Sequence, residues 1–83
     1  MPLPEVDASK LDQISDPNEK KQYVGNAIYP IIETAFGGSF AGKITGMLLD
    51  ENVVNFQQLL TNPMYFTHKA KEAMNMLQQF QQQ

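Results

Sequence analysis

Two Asx–Pro pairs, Asp16-Pro17 and Asn62-Pro63, set the architecture this chain can adopt. An Asp or Asn side chain accepts from the first free N–H groups of a helix, and proline at the first helical position gives up no bond. Asp16-Pro17-Asn18-Glu19 adds a glutamate that can reach back to the cap, so it is a strong helix start. The spacing predicts a helix over 17–29. Pro30 has no N–H, so the helix is expected to kink or restart there, with a second short piece over 30–36 ended by Gly37-Gly38. Asp7 can cap a first short helix carrying Ala8, Leu11 and Ile14. Ser39 is the expected cap of a helix over 40–50, and Asn52 of one over 53–60. Asn62-Pro63 opens the last helix, 63–80.

The apolar residues follow the helical period. Phe40, Ile44, Met47 and Leu48 make one stripe, and Phe66, Ala70, Ala73, Leu77 and Phe80 another. Val53, Phe56, Leu59 and Leu60 are expected inward on the segment between them. No run of alternating β-branched residues suggests a strand. The fold class is all-α, a compact bundle of five or six short helices. One domain spans 7–80. Residues 1–6 read as a linker or a remnant of cloning, and Gln81-Gln82-Gln83 as a fraying, disordered tail.

Composition narrows the function classes. The 83 residues include no cysteine, so no disulfide and no thiolate metal cluster can form. The six basic residues are all lysines, and the net charge is −3. Nucleic-acid modules carry a basic face rich in arginine, so direct RNA or DNA binding by this domain is not expected. The single histidine, His68, has no second ligand or base beside it and reads as solvent-exposed. No apolar run is long enough to span a membrane. No catalytic residue, metal ligand or cofactor is expected, and the chain does not read as an enzyme.

Two features remain. Gln22, Gly25, Asn26 and Tyr29 share one helical face. A glycine inside a helix costs about 1 kcal/mol relative to alanine. Here it can open a notch one turn before the Tyr29 ring, sized for a flat partner ring, or it can serve close helix packing. In Gly42-Lys43-Ile44-Thr45-Gly46-Met47-Leu48-Leu49-Asp50, glycines at i and i+4 can thin one side for another backbone. Leu49 lies off the core stripe, as a packing contact or a groove wall. Lys43 reads as a solvated charge, Asp50-Glu51 as solvated acids, and the methionines as mostly core filler.

Lys43 to Asp50 resembles the KITGMLLE signature of the MLLE domain, with seven of eight residues identical and Asp50 at the acidic place. Upstream, Gln22 to Ile32 is similar to that family's QxxGExL[FY]PxI helix. The MLLE domain is the C-terminal peptide-binding module of cytoplasmic poly(A)-binding proteins, and it also occurs in a HECT-type ubiquitin ligase. The resemblance implies a right-handed bundle that binds the PABP-interacting motif in disordered regions of translation and mRNA-decay factors. It implies a phenylalanine pocket of Gln22, Gly25, Asn26, Tyr29, Lys43, Thr45 and Leu49. It implies a leucine pocket of Met47, Leu48, Ala73, Met76 and Phe80. Asn26 stands where the family usually has Glu, and Phe80 where relatives often carry His. A cytoplasmic, monomeric domain is expected, with poly(A) RNA bound by other domains of the parent. A ubiquitin-ligase parent and a helical self-association domain are the alternatives.

Overall fold

A computed structural model describes residues 3–4 and 6–81, except for the side chains of Phe80 and Gln81. It contains a short 3₁₀ helix, Ala8–Gln13, followed by four α-helices: α1 Pro17–Phe36, α2 Gly38–Leu48, α3 Phe56–Thr61 and α4 Pro63–Gln81. Among the described residues there is no strand. The all-α bundle expected from the helical periods is the observed class.

The caps account for the boundaries. The Asp16 carboxylate accepts from the Asn18 amide at 2.8 Å and starts α1. Asn62 Oδ1 accepts from the Met64 and Tyr65 amides at 3.1 and 3.2 Å and starts α4. Asp7 caps the 3₁₀ helix by accepting from the Ser9 hydroxyl and amide. Those two bonds, the hydroxyl first, hold its carboxyl below the usual carboxylate range. Their contribution is in place above the ordinary carboxylate pKa and fades as pH falls through the lowered one. The Tyr23 hydroxyl donates to the Asp7 carbonyl at 2.8 Å and fastens this segment to α1.

Three boundaries differ from the sequence expectation. Helix α1 runs unbroken through Pro30. Proline withholds one amide bond and crowds the preceding turn, at about 3 kcal/mol. Val24, Ile28 and Ile32 are all fully buried on the opposite side, so both halves are anchored to one core. Pro30 itself is exposed, where water can reach the carbonyl it leaves unmet. Helix α2 begins at Gly38 rather than after a Ser39 cap. Gly37, at φ +91°, donates to the Glu33 carbonyl and accepts from the Phe40 and Ala41 amides, so one residue ends α1 and starts α2. Helix α3 is capped by Asn55, whose side chain accepts from the Gln58 amide at 3.1 Å, not by Asn52. Asn52 lies in a turn in which the Asp50 carbonyl accepts from the Val53 and Val54 amides. That turn leaves Val53 62% exposed and sends Val54 into the core.

Phe66, Ile28, Ile32, Ile44, Leu59 and Val24 are the largest fully buried side chains. They come from all four α-helices and form one cluster with Leu11 from the 3₁₀ helix. Helix α2 packs against α1 on one side and α4 on the other, and α3 packs against α4 and the 3₁₀ helix. The Asn55 amide donates to the Tyr65 hydroxyl at 2.8 Å, which pins the approach to α3 onto α4. The methionines are not mainly core filler, because Met64 is 82% and Met76 45% exposed. At the chain's start, Pro4 is buried and Val6 packs on the core, inside the stretch expected to be a lead-in. Residues 1, 2, 5, 82 and 83 lie outside the described residues. Gln81, expected in the tail, closes α4.

The glycines separate two stability effects. Nothing lies within 4 Å of a Cβ built on Gly42 or Gly46, so no backbone approaches there, contrary to the close-approach expectation. Gly42→Ala is expected to raise stability by about 0.5–1 kcal/mol through helix propensity. Gly37→Ala has equal room but the wrong φ, and is expected to lower stability by about 1–2 kcal/mol. Urea unfolding of the two variants checks the contrast.

Candidate functional site

Helix α2 has three working sides. Ala41, Ile44 and Leu48 face the core. Thr45 and Leu49 face a crevice against α1, and Gly46, Met47 and Leu48 border a second crevice against α4. Residues four apart share a helix side, so Thr45 and Leu49 fall together, and successive positions such as Leu48 and Leu49 diverge. One short helix thereby walls two separate grooves.

The α1/α2 groove, of about 310 Å³, is lined by Lys21, Gln22, Gly25, Asn26, Tyr29, Thr45 and Leu49. Gly25 sets its depth. A Cβ built there would stand 3.2 Å from Leu49 Cδ1 and 3.9 Å from Thr45 Cγ2. The missing side chain therefore lets half-buried Leu49 settle against the α1 backbone. The close-packing reading of Gly25 is the one this contact bears out, and the surface beside Tyr29 is recessed. Tyr29 is 37% exposed, so its ring walls the groove rather than filling the core.

Thr45 is the one buried polar residue among those described, 7% exposed. Its hydroxyl has no hydrogen-bond partner there. A buried hydroxyl without a partner costs about 1–3 kcal/mol. The side chain lies on the wall of the groove, with its methyl carbon Cγ2 toward Gly25.

The α2/α4 groove, of about 320 Å³, is lined by ten residues: Gly46, Met47, Leu48, Asp50, Val53, Val54, Lys69, Glu72, Ala73 and Met76. Lys69, Glu72, Ala73 and Met76 recur at i, i+3, i+4 and i+7 along α4, so one face of that helix forms the wall. Lys69 is held in place. Its ammonium lies 3.7 Å from a Glu72 carboxylate oxygen and 5.7 Å from the Tyr65 ring centroid. The other Glu72 oxygen is 3.4 Å from His68 Nε2. His68 itself is solvent-exposed, as expected from the sequence. Both grooves sit at the small end of the roughly 300–1,000 Å³ typical of ligand sites. That is room for single side chains, one in each.

Of the twelve residues expected at a binding surface, six meet in the α1/α2 groove: Gln22, Gly25, Asn26, Tyr29, Thr45 and Leu49. Met47, Leu48, Ala73 and Met76 meet in the α2/α4 groove. Lys43 is exposed on α2 and lines neither. It lies one turn before Met47 and Gly46, on a different side from Thr45 and Leu49. The Phe80 side chain lies outside the described residues. Sequence reasoning did not place Lys21, Gly46, Asp50, Val53, Val54, Lys69 or Glu72 at the site. Lys21 stands four residues before Gly25, and Lys69 four before Ala73, so the helical period held that signal. Val53 and Val54 depend on the turn after α2, which no period predicts. Among the described residues no three His, Cys, Asp or Glu side chains cluster to hold a metal.

The family model of the MLLE domain matches residues 11–77, the stretch that carries both grooves. The chain belongs to the MLLE domain family. MLLE domains are protein-interaction modules. The chain is 36% identical over 66 residues to a "Polyadenylate-binding protein, cytoplasmic and nuclear" of Chaetomium globosum, covering 80% of this chain and 8% of that protein. It is 34% identical over 70 residues to "Polyadenylate-binding protein 2" of Arabidopsis thaliana, covering 84% of this chain and 11% of that protein. The chain thus spans about a tenth of the length of these curated relatives. No solved structure matches it.

The orphaned hydroxyl of this MLLE domain makes a direct prediction. Thr45→Val keeps the shape and deletes the unmet group, so stability should rise by about 1 kcal/mol. Urea unfolding checks it. A loss of stability would show that the hydroxyl is bonded in solution.

Proposed function

We propose that this MLLE domain captures disordered peptides that offer a phenylalanine and a leucine a few residues apart, the PABP-interacting motif, on behalf of a poly(A)-binding protein. The observation that carries this reading is the pair of side-chain-sized grooves on two sides of α2. The phenylalanine would enter beside Gly25, against the α1 backbone, with Tyr29 along one face and Leu49 below. The leucine would enter between Met47 and Ala73, with Met76 at the rim. Both relatives carry the polyadenylate-binding name, which favours that parent over a ubiquitin ligase.

The energetics suit a reversible contact. Each anchor contributes roughly 1.5–3 kcal/mol when buried. Ordering the peptide offsets part of the gain. Affinity in the micromolar range, about −8 kcal/mol, is expected only with further contacts from the peptide backbone and flanks, since the two anchors alone fall short of it. Partners would be translation and mRNA-decay factors with such segments, met in the cytoplasm. Poly(A) RNA would be bound by other parts of the parent protein. Among the described residues no helix is long and apolar enough to cross a membrane.

The test is a binding titration of a labelled peptide carrying both anchors, read by fluorescence polarisation. Gly25→Asp places a carboxylate where the ring would lie. It should weaken binding by roughly tenfold to a hundredfold, the worth of one aromatic anchor, while helical circular dichroism persists. Leu49→Ala should also weaken binding. It should destabilise the fold by less than the roughly 2–5 kcal/mol of a fully buried leucine. Unchanged affinity in a folded Gly25→Asp variant would refute the groove assignment.

A further inference from the structure

The chain holds no cysteine and no tryptophan, so an oxidant meets methionine thioethers and no thiol. Four methionines lie among the described residues, and exposure and position separate them. Met64 is 82% exposed but sits beside Pro63, Thr67, His68 and Lys71 on α4 and lines neither peptide groove. Met74 is half-buried against the core and lines neither groove. Met47 lines the α2/α4 groove but is also half-buried against the core. Among these four, Met76 alone is both exposed, at 45%, and part of that groove's wall.

Oxidation at this position changes the chemistry of the groove. A methionine side chain is flexible and apolar, and it adapts to an aliphatic anchor. Its sulfoxide is polar and chiral. The one ammonium that lines the groove, Lys69, is already engaged by Glu72 and by the Tyr65 ring. The sulfoxide oxygen therefore keeps to water. A leucine entering beside Met76 would strip that water away without replacing its hydrogen bonds.

We propose that Met76 is a redox-sensitive modification site, whose oxidation by a hydroperoxide weakens capture of the aliphatic anchor. For hydrogen peroxide, a sulfur lone pair forms the S–O bond as the O–O bond breaks. The hydroxide released takes the proton of the transferred oxygen and leaves as water. Sulfur loses two electrons and the peroxide gains them. A methionine sulfoxide reductase reverses the step at the expense of a dithiol, which becomes a disulfide while the oxygen leaves as water. The inference rests on the two-anchor reading above and deepens it. One anchor becomes conditional on redox state, whereas no methionine lines the α1/α2 groove. Losing about half of what a buried leucine gains weakens binding roughly three- to tenfold.

The experiment treats the domain with hydrogen peroxide and locates the added oxygen by peptide mass spectrometry. A labelled peptide carrying both anchors is then titrated by fluorescence polarisation. The unaltered domain, Met76→Leu and Met64→Leu are each compared with their own unoxidised form, and circular dichroism follows the fold. In the unaltered domain, Met64 and Met76 should oxidise before Met47 and Met74. Binding should weaken roughly three- to tenfold, and sulfoxide reductase with dithiothreitol should restore it. Met64→Leu should lose as much, and Met76→Leu less than about twofold. A peptide with alanine in place of leucine should bind the oxidised and unoxidised domains alike. An equal loss in Met76→Leu overturns the proposal, as does full affinity once Met76 is oxidised. So does loss of helix on oxidation of Met76→Leu, which would place the effect at the half-buried methionines. These results leave the two-anchor reading intact if the unoxidised domain binds the peptide and alanine for leucine weakens it. If the unoxidised domain does not bind, or that replacement changes nothing, the two-anchor reading fails and the redox site fails with it.

Discussion

Burial of the Ile44 and Leu48 side of α2, between α1 and α4, is the contact on which the other features of the domain rest. It joins the largest helices through one short one. Because α2 is only 11 residues long, the same turns that enter the core must also wall the surface. Leu48 is in the core and its neighbour Leu49 is on the groove. Removing the core side would leave neither crevice with a fixed width. Fixed width is what lets a groove accept a side chain without first being formed by it.

Gly25 shows how a local cost in α1 becomes a surface property. Glycine inside a helix sacrifices about 1 kcal/mol of propensity. In return Leu49 Cδ1 packs 3.2 Å from where a Cβ would stand. Pro30, five residues on, carries a larger local cost, about 3 kcal/mol, on the exposed side of the same helix. Val24, Ile28 and Ile32 outweigh both by lying fully inside the core. The groove-forming side of α1 is thus locally weak, and the helix is held by its other side. Thr45 adds a third cost, a buried hydroxyl without a partner. Gly25 and Thr45 both border the α1/α2 groove, and Pro30 directly follows Tyr29, which walls it. Sites that bind often carry such local penalties, and the surrounding fold offsets them.

Much of this could be read from the residues. Asp16-Pro17 and Asn62-Pro63 start the two long helices because their caps are local chemistry, settled within three residues. The shared face of Gln22, Gly25, Asn26 and Tyr29 follows from the helical period alone. What local chemistry could not settle was decided by tertiary contacts. Pro30 signals a break, yet burial on either side of it keeps α1 whole. Ser39 and Asn52 are competent caps, but Gly37 and Asn55 take those roles. Gly37 can adopt a positive φ, and the Asp50 turn delays α3 by three residues. That delay exchanges Val53 for Val54 in the core. Lys43 belongs to the signature octapeptide, but its turn of α2 carries it to a different side from Thr45 and Leu49.

The central claim is that two grooves on opposite walls of one helix hold two anchors of one peptide at once. The most direct measurement is a two-dimensional amide NMR titration with a single peptide bearing both leucine and phenylalanine, repeated with each anchor replaced by alanine. With the full peptide, shifts should concentrate at Gly25, Thr45 and Leu49 and also at Met47 and Ala73. Loss of phenylalanine should silence the first set, and loss of leucine the second. Shifts confined to one groove with the full peptide, or spread over the exposed Met64 and Val53 surface instead, would contradict the account.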